Sequence, residues 1–253
     1  MSWLHAVIDV PTAALPAAAT FWSQALGWEL GPPWSGHPEL RSFQPDDGDA
    51  YVHLQDIHGD ARTHIDLEVA DITAELARLQ TLGATVGPGQ DRWQPMTSPG
   101  GLPFCLVQAA YHQAPAPLEW PDGHRTRLVQ VCIDSPPGLH DAEVEFWQAV
   151  LGWRWESSSS PEFAGKLYDD LRDFDGGPRP DRSPLQLLFQ RLDRADGPAT
   201  AHLDLGSDAI DAEVARLGEL GAERLWPGDG WVALRDPAGL PFCVTGNSPE
   251  YRR

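Results

Sequence analysis

The hydrophobic pattern is clearest in Thr63-His64-Ile65-Asp66-Leu67-Glu68-Val69. Ile65, Leu67 and Val69 fall on one side of a period-2 repeat, and His64, Asp66 and Glu68 on the other. This predicts a strand with one packed face and one face toward something polar. A helix-like run from Asp71 to Leu82 follows and stops at Gly83-Ala84, where glycine is the expected terminator. The same order of elements returns later: Ala201 to Leu205 alternates, Asp208 to Leu220 has helical periodicity, and Gly221-Ala222 closes it. His202 stands 138 residues after His64.

The repeat runs well beyond one strand and decides the architecture. At the same offset, Ala74-Glu75-Leu76-Ala77-Arg78-Leu79 aligns with Ala212-Glu213-Val214-Ala215-Arg216-Leu217, and Trp93 with Trp231. The turn and strand from Ser98 to Cys105 align with Asp236 to Cys243. Upstream the offset is 125, matching Phe21-Trp22 to Phe146-Trp147 and Leu26-Gly27-Trp28 to Leu151-Gly152-Trp153. The difference between the offsets places an insertion in the second copy, within Ser157 to Arg182. A weaker repeat inside each copy relates His5–Val10, with its following helix, to His64–Val69. Four modules result, each a strand, a helix and about three short strands, with two modules per half. The halves span residues 1–110 and 127–247, joined by a proline-rich linker at 111–126. A helix must bury its apolar stripe on a sheet, so each module is expected to lay its helix over its apolar strand face. The opposite strand faces then line clefts, and His5, His53, His64 and Cys105 all alternate onto them.

Composition narrows the chemistry. The 253-residue chain carries a formal net charge of −19, which disfavours nucleic acid and anionic membranes as partners. Three cysteines and no secretory pattern suit a cytoplasmic chain with free thiols. No stretch approaches the roughly 18 uninterrupted apolar residues of a spanning helix. Eleven tryptophans exceed what a core of this size needs. Trp22, Trp28, Trp147 and Trp153 are assigned to the core. Trp3, Trp34, Trp93 and Trp231 are candidates for the wall of a small-molecule pocket, together with His53, Gln130 and His202. There is no glycine-rich strand-to-helix phosphate loop and no Gly-x-Ser-x-Gly elbow. A cysteine nucleophile would be Cys105, with His64 or His53 as its base. Asp66 and Glu68 share the face of His64, either solvating the strand or orienting the imidazole.

The motifs Phe-Trp…Leu-Gly-Trp, His-x-Asp-Leu…Leu-Gly-Ala and the Pro-x-Gly-x-x-Phe-Cys turn resemble the vicinal oxygen chelate superfamily. This group contains glyoxalase I, bleomycin-resistance proteins, extradiol dioxygenases and fosfomycin-resistance enzymes. The resemblance implies an α+β fold of four βαβββ modules forming two glyoxalase-like domains, with open, cleft-forming sheets covered by helices. It also implies metal-ligand positions at His5, His53, His64 and Cys105 in the first half, and Gln130, Leu188, His202 and Cys243 in the second. If the halves exchange modules, the sets become His5, His53, His202, Cys243 and Gln130, Leu188, His64, Cys105. Cysteine stands where the family usually offers glutamate, and Leu188 cannot bind a metal.

The function expected from these features is binding of a small apolar or aromatic molecule in a cleft, without a catalytic metal or other cofactor, by a monomer or homodimer. The first alternative is a metal-dependent lyase, isomerase or dioxygenase holding one divalent ion (zinc, iron, nickel or manganese). The second is a pseudoenzyme used as an interaction module.

Overall fold

A computed structural model of the chain describes residues 3–89, 92–169, 183–194 and 196–250. The first module is β1 (Leu4–Pro11), α1 (Leu15–Leu26), β2 (Glu29–Leu30), β3 (Leu40–Gln44) and β4 (Val52–Ile57). The second is β5 (Arg62–Val69), α2 (Ile72–Thr81), β6 (Thr85–Val86), β7 (Trp93–Thr97) and β8 (Pro103–Gln108). After a short β9 (Leu118–Glu119), the third comprises β10 (Arg125–Ser135), α3 (Pro137–Leu151), β11 (Arg154–Ser157), β12 (Phe163–Tyr168) and β13 (Gln186–Arg191). The fourth comprises β14 (Thr200–Ser207), α4 (Ile210–Glu219), β15 (Glu223–Gly228), β16 (Trp231–Arg235) and β17 (Pro241–Thr245). The four βαβββ modules are thus present. Part of the insertion forms β12, and its stretch from 170 to 182 lies outside the described residues.

Each half is one sheet. The first runs β2-β3-β4-β1-β5-β8-β7-β6, and the second β11-β12-β13-β10-β14-β17-β16-β15, with β9 added beside β10. Modules therefore pair within a half, through antiparallel β1–β5 and β10–β14. The exchanged sets are not formed: His5 and His53 lie on the first sheet, and His202 and Cys243 on the second, so neither His5, His53, His202, Cys243 nor its counterpart shares a sheet face.

Alternation sets the two faces as expected. Leu4, Ala6, Ile8 and Val10 on β1, Val52 and Leu54 on β4, Ile65, Leu67 and Val69 on β5, and Phe104 and Leu106 on β8 are all 1% exposed or less. Fully burying a large apolar side chain of this kind stabilises by about 1.5–3 kcal/mol. These residues join their second-half equivalents in one core. Trp22, Trp28 and Trp147 are buried in it, and Trp153 packs half-buried at its margin.

The helices depart from the expected arrangement in one respect: α1 and α3 also pack on the opposite half. Phe21 and Trp22 of α1 lie against Phe242 of β17, at ring-centroid distances of 5.6 and 5.3 Å. Phe146 and Trp147 of α3 lie against Phe104 of β8, at 5.9 and 5.2 Å. The repeated Glu-x-x-Arg of α2 and α4 locks this exchange. Arg78 donates to the carbonyls of Ala149 and Val150 at the end of α3, both at 3.0 Å. Arg216 donates to Gln24 and Ala25 at the end of α1, at 3.0 and 2.9 Å. A cation on the last carbonyls of a helix satisfies acceptors that have no partner within it and opposes the helix dipole. Gly27 ends α1 at φ 68°, and the β9 strand approaches so closely that a Cβ there would lie 2.2 Å from Leu118.

The linker is docked along the first half. Asp49 N–H donates to the Gln113 carbonyl, the Gln113 N–H donates to the Asp49 carboxylate, both at 2.7 Å, and His112 reaches Glu68. Its last residues pair as a strand, Leu118 with Thr126 and Glu119 with Arg125.

Each buried helix tryptophan needs an acceptor for its indole N–H. Trp147 donates to Glu143 on its own helix at 2.9 Å, and Glu143 also accepts from Ser98 Oγ and the Gly100 N–H of the opposite turn. Trp22 donates at 2.8 Å to Asp236, which sits in the opposite turn itself and accepts from the N–H groups of Ala238 and Leu240. Ala18 occupies the helix position equivalent to Glu143, and Ala238 the turn position equivalent to Gly100. Glu143→Ala leaves three buried donors without an acceptor and should cost about 3 kcal/mol or more in urea unfolding. Adding Ser98→Asp transplants the second-half solution and should recover at least about 1 kcal/mol; no recovery would show that the two junctions are not equivalent.

Candidate functional site

In the first half, β1, β4, β5 and β8 present their polar residues on one face. Their registers put Val7 between His53 and His64, His5 opposite Asp66, and Asp66 opposite Cys105. The side chains then separate into two groups. One is a chain of hydrogen bonds whose directions follow from the neutral imidazoles. Trp34 Nε1 donates to Ser42 Oγ at 3.0 Å, and Ser42 donates to His53 Nδ1 at 2.9 Å. His53 Nε2 donates to His5 Nδ1 at 3.0 Å, and His5 Nε2 donates to Glu68 at 3.2 Å. Glu68 also accepts from His112 Nε2 at 2.5 Å and from the Ala110 N–H at 3.0 Å. Every ring nitrogen of His5 and His53 is engaged, so these two histidines do not converge with His64 and Cys105.

The second group is His64, Asp66 and Cys105, whose donor atoms lie within 4.8 Å of one another. His64 Nδ1 donates at 2.9 Å to Asp9, which also pairs with Arg62 at 2.8 Å. Its Nε2 lies 3.2 Å from Asp66 Oδ1, out of line for a hydrogen bond, so that buried oxygen has no donor. Burial opposes charge on His64, but Asp66 and Asp9 outweigh it and raise its pKa well above the ordinary value.

The second half repeats this group. His202 Nδ1 donates to Asp134 at 2.7 Å, and Nε2 faces Asp204 Oδ1 at 3.3 Å and Cys243 Sγ at 3.6 Å. Asp204 Oδ1 is buried without a donor, while Asp204 Oδ2 accepts from Gln130, which in turn accepts from Gln186 at 2.8 Å. Burial again opposes charge on His202, and Asp134 leads the groups that raise its pKa well above the usual range. Burial pushes the thiols of Cys105 and Cys243 up, so neither is activated as a thiolate nucleophile by its surroundings.

The two clefts differ in size. The first-half cavity is about 190 Å³ and is bordered by Trp34, Trp93, His64, Asp66 and Cys105. Its mouth is narrowed by His37, which stands edge-on to Trp93 at 4.4 Å. The second-half cavity is about 530 Å³, with Phe163, Leu188, Trp226, Trp231 and Phe242 as apolar walls. Gln130, Lys166, His202, Asp204 and Cys243 supply its polar lining. Of the residues predicted to bind ligand, Trp231, Gln130 and His202 border the large cavity, and Trp34 and Trp93 the small one. Trp3 and His53 border neither: Trp3 is 1% exposed and stacked on His112 at 4.7 Å, and His53 is inside the hydrogen-bond chain.

Sequence reasoning missed several participants. Asp9 and Asp134 were detectable, being 125 residues apart on cleft faces, as were Asp66 and Asp204, 138 apart. Phe163 and Lys166 sit in the insertion, where the repeat offers no register. His112 is in the linker, where no periodicity marks its partner.

The donor set suits a cation. Imidazole nitrogen, carboxylate oxygen and thiol sulfur converge, each histidine is oriented from behind by a carboxylate, and each set contains an orphaned buried oxygen. The residues present therefore fit a divalent ion, on His64, Asp66 and Cys105 in one half and on His202, Asp204 and Cys243 in the other.

The profile of the Glyoxalase-like domain family matches residues 5–107 and 130–245. No curated protein matches the sequence significantly. Among solved structures, a xylose isomerase-like TIM barrel/4-hydroxyphenylpyruvate dioxygenase fusion protein superposes with a TM-score of 0.61 at 13% identity, over 98% of this chain. The chain spans 49% of that fusion protein. The Mn(II)-bound glyoxalase from Novosphingobium aromaticivorans superposes at 0.65 and 17% identity, covering 100% of this chain and 87% of its own. The 2,2',3-trihydroxybiphenyl 1,2-dioxygenase from dibenzofuran-degrading Sphingomonas wittichii gives 0.62 and 13%, covering 99% and 94%.

Burial, with His5 alongside, lowers the His53 pKa to about 3. The unfolded chain takes up this proton below the ordinary value of about 6.5 while the folded chain does not, so stability should fall as pH drops through that window. Glu68 acts lower: burial raises its pKa, but His112, His5 and the Ala110 N–H bring it to about 2, so its contribution is lost only below 4.5. Urea midpoints between pH 6.5 and 4.5 should therefore decline in the native chain. The decline should be shallower in His53→Gln, retaining the share of His140, whose pKa burial also lowers. An unchanged slope would exclude a neutral, buried His53.

Proposed function

The chain belongs to the glyoxalase-like domain family of the vicinal oxygen chelate superfamily, and from that premise we propose that its second half binds a small apolar or aromatic molecule bearing a polar group. One observation carries this reading: the 530 Å³ cavity lies within the range of about 300–1,000 Å³ typical of small-molecule sites. The 190 Å³ first-half cavity falls below it. Phe163, Trp231 and Leu188 receive the apolar part of the ligand. His202 and the Gln130–Asp204 pair meet its polar group, because burying an oxygen or nitrogen there without a partner would cost binding energy. Trp226 borders the cavity while remaining 56% exposed, a placement that lets it close over a bound ring. No helix among the described residues is long and apolar enough to cross a membrane.

A second reading, a metal-dependent lyase, isomerase or dioxygenase, is favoured by the donor set on the floor of the same cavity. A divalent ion held there would supply Lewis-acid polarisation of a ligand oxygen. The protein's own part would be to exclude water with the aromatic walls and to fix His202 through Asp134. The interaction-module reading gains nothing from a cavity of this depth.

Tryptophan fluorescence with 1-naphthol as probe tests the binding reading. Saturable quenching is expected in the native chain. Trp231→Ala and Leu188→Asp should weaken binding by about 10-fold or more, the scale of losing one well-buried contact in a small-ligand site. Trp93→Ala, in the first-half cleft, should leave affinity unchanged. Equal losses at both tryptophans, or no saturation with any of a panel of phenols and catechols, would reject the second-half cavity as the site.

A further inference from the structure

The repeat lets the two cleft faces be compared position by position. Most of the central positions have diverged. His5 is replaced by Gln130, Val7 by Cys132, His53 by Leu188, Glu68 by Gly206 and Val107 by Thr245. Trp93 with Trp231, and Gln55 with Gln190, are kept toward the edges. At the centre one contiguous group is kept whole: Asp9, His64, Asp66 and Cys105 in one half, Asp134, His202, Asp204 and Cys243 in the other. A hydrogen-bond network that served only its own half would be free to drift with its neighbours.

The kept group also has the same geometry twice. Each histidine donates its Nδ1–H to the first aspartate, at 2.9 and 2.7 Å. Each turns Nε2 toward the second aspartate, at 3.2 and 3.3 Å, and toward the cysteine. Each second aspartate keeps one oxygen buried with no donor, and Asp204 is only 2% exposed. One proton on Nε2 can serve a single acceptor in line. A cation serves nitrogen, oxygen and sulfur together.

We propose that each half holds its own soft divalent cation of the zinc–cobalt class, on His64, Asp66 and Cys105 and on His202, Asp204 and Cys243. Asp9 and Asp134 are positioning residues that fix the imidazoles. Thiolate and imidazole ligands select this class over manganese or magnesium. Binding releases the cysteine proton, since the thiolate is the ligand. The inference shares its second-half donors with the metal-dependent reading but adds an equivalent site in the first half. It is independent of whether 1-naphthol binds.

The test is cobalt(II) titration of tag-free, chelator-treated full-length chain, followed by absorption spectroscopy and by zinc competition. Two equivalents are expected, with near-ultraviolet thiolate-to-cobalt charge-transfer absorption. Cys105→Ser and Cys243→Ser should each remove one equivalent and about half of that absorption, with circular dichroism unchanged. Asp9→Asn and Asp134→Asn should each weaken one site by about 10–100-fold, the usual effect of losing a group behind a ligand. Absence of binding, binding without the sulfur band, or two equivalents retained in the double cysteine variant would overturn the proposal. A single equivalent would overturn it for the half whose cysteine variant changes nothing.

Discussion

The packing of the two halves depends on an acceptor for a buried indole N–H. Trp22 and Trp147 fill equivalent gaps between a helix of one half and a turn of the other, and neither donor can be left without a partner. The chain meets this constraint in two ways. In one junction the carboxylate comes from the helix, as Glu143, and the turn is trimmed to Ser98 and Gly100. In the other it comes from the turn, as Asp236, and the helix is trimmed to Ala18. A Cβ on Gly100 would lie 2.4 Å from Glu143, whereas Ala238 is accommodated where the helix carries only alanine. Burial raises the pKa of both carboxyls, a cost accepted where several donors surround each of them. Because α1 and α3 are fixed across the halves in this way, both sheets are held by their apolar faces and both clefts face outward.

Much of this was legible in the chain. Period-2 alternation at His5, His53, His64 and Cys105 assigned the cleft face, and the Leu-Gly stops ended the helices where the structure ends them. The offset repeat delivered four modules and the equivalence of the halves. Module pairing was not legible, because the same alternation serves either partner; the β1–β5 register decides it. Nor was the fate of His5 and His53. Sharing a face does not make side chains converge, and Ser42, Glu68 and His112 draw those two imidazoles into a separate chain. The exchange of α1 and α3 was equally hidden, since a helix stripe shows that it must be buried but not against which sheet.

The two clefts illustrate how a duplicated site can diverge without losing its frame. In the first half, His5 and His53 fill the floor, Trp34 braces Ser42, and His37 stands against Trp93. The result is a small, polar, internally satisfied space. In the second half Gln130 and Leu188 replace the paired histidines, and the insertion brings Phe163 and Lys166 to the rim. Removing two imidazoles that bonded each other leaves no orphan, because both members of the pair go together; losing only one would have stranded the other. The larger cavity is thus reached by a paired change that the sheet tolerates.

The residues that did not diverge are more informative than those that did. A strand face that only needed solvating would keep its charge but not its partners. Here the oriented imidazole, the carboxylate with an unmatched oxygen and the sulfur recur together in two surroundings of unlike polarity and volume. An aspartate–imidazolium pair accounts for the first aspartate in each half, and the raised histidine pKa values agree with it. It does not account for the second, whose buried oxygen lies close to a nitrogen that cannot bond it in line. The chemistry that uses both is one that gathers several donors about a single centre, and the manganese-bound glyoxalase of similar fold shows that this scaffold accommodates such a centre. Sulfur in place of a harder ligand then shifts the choice of ion rather than the need for one.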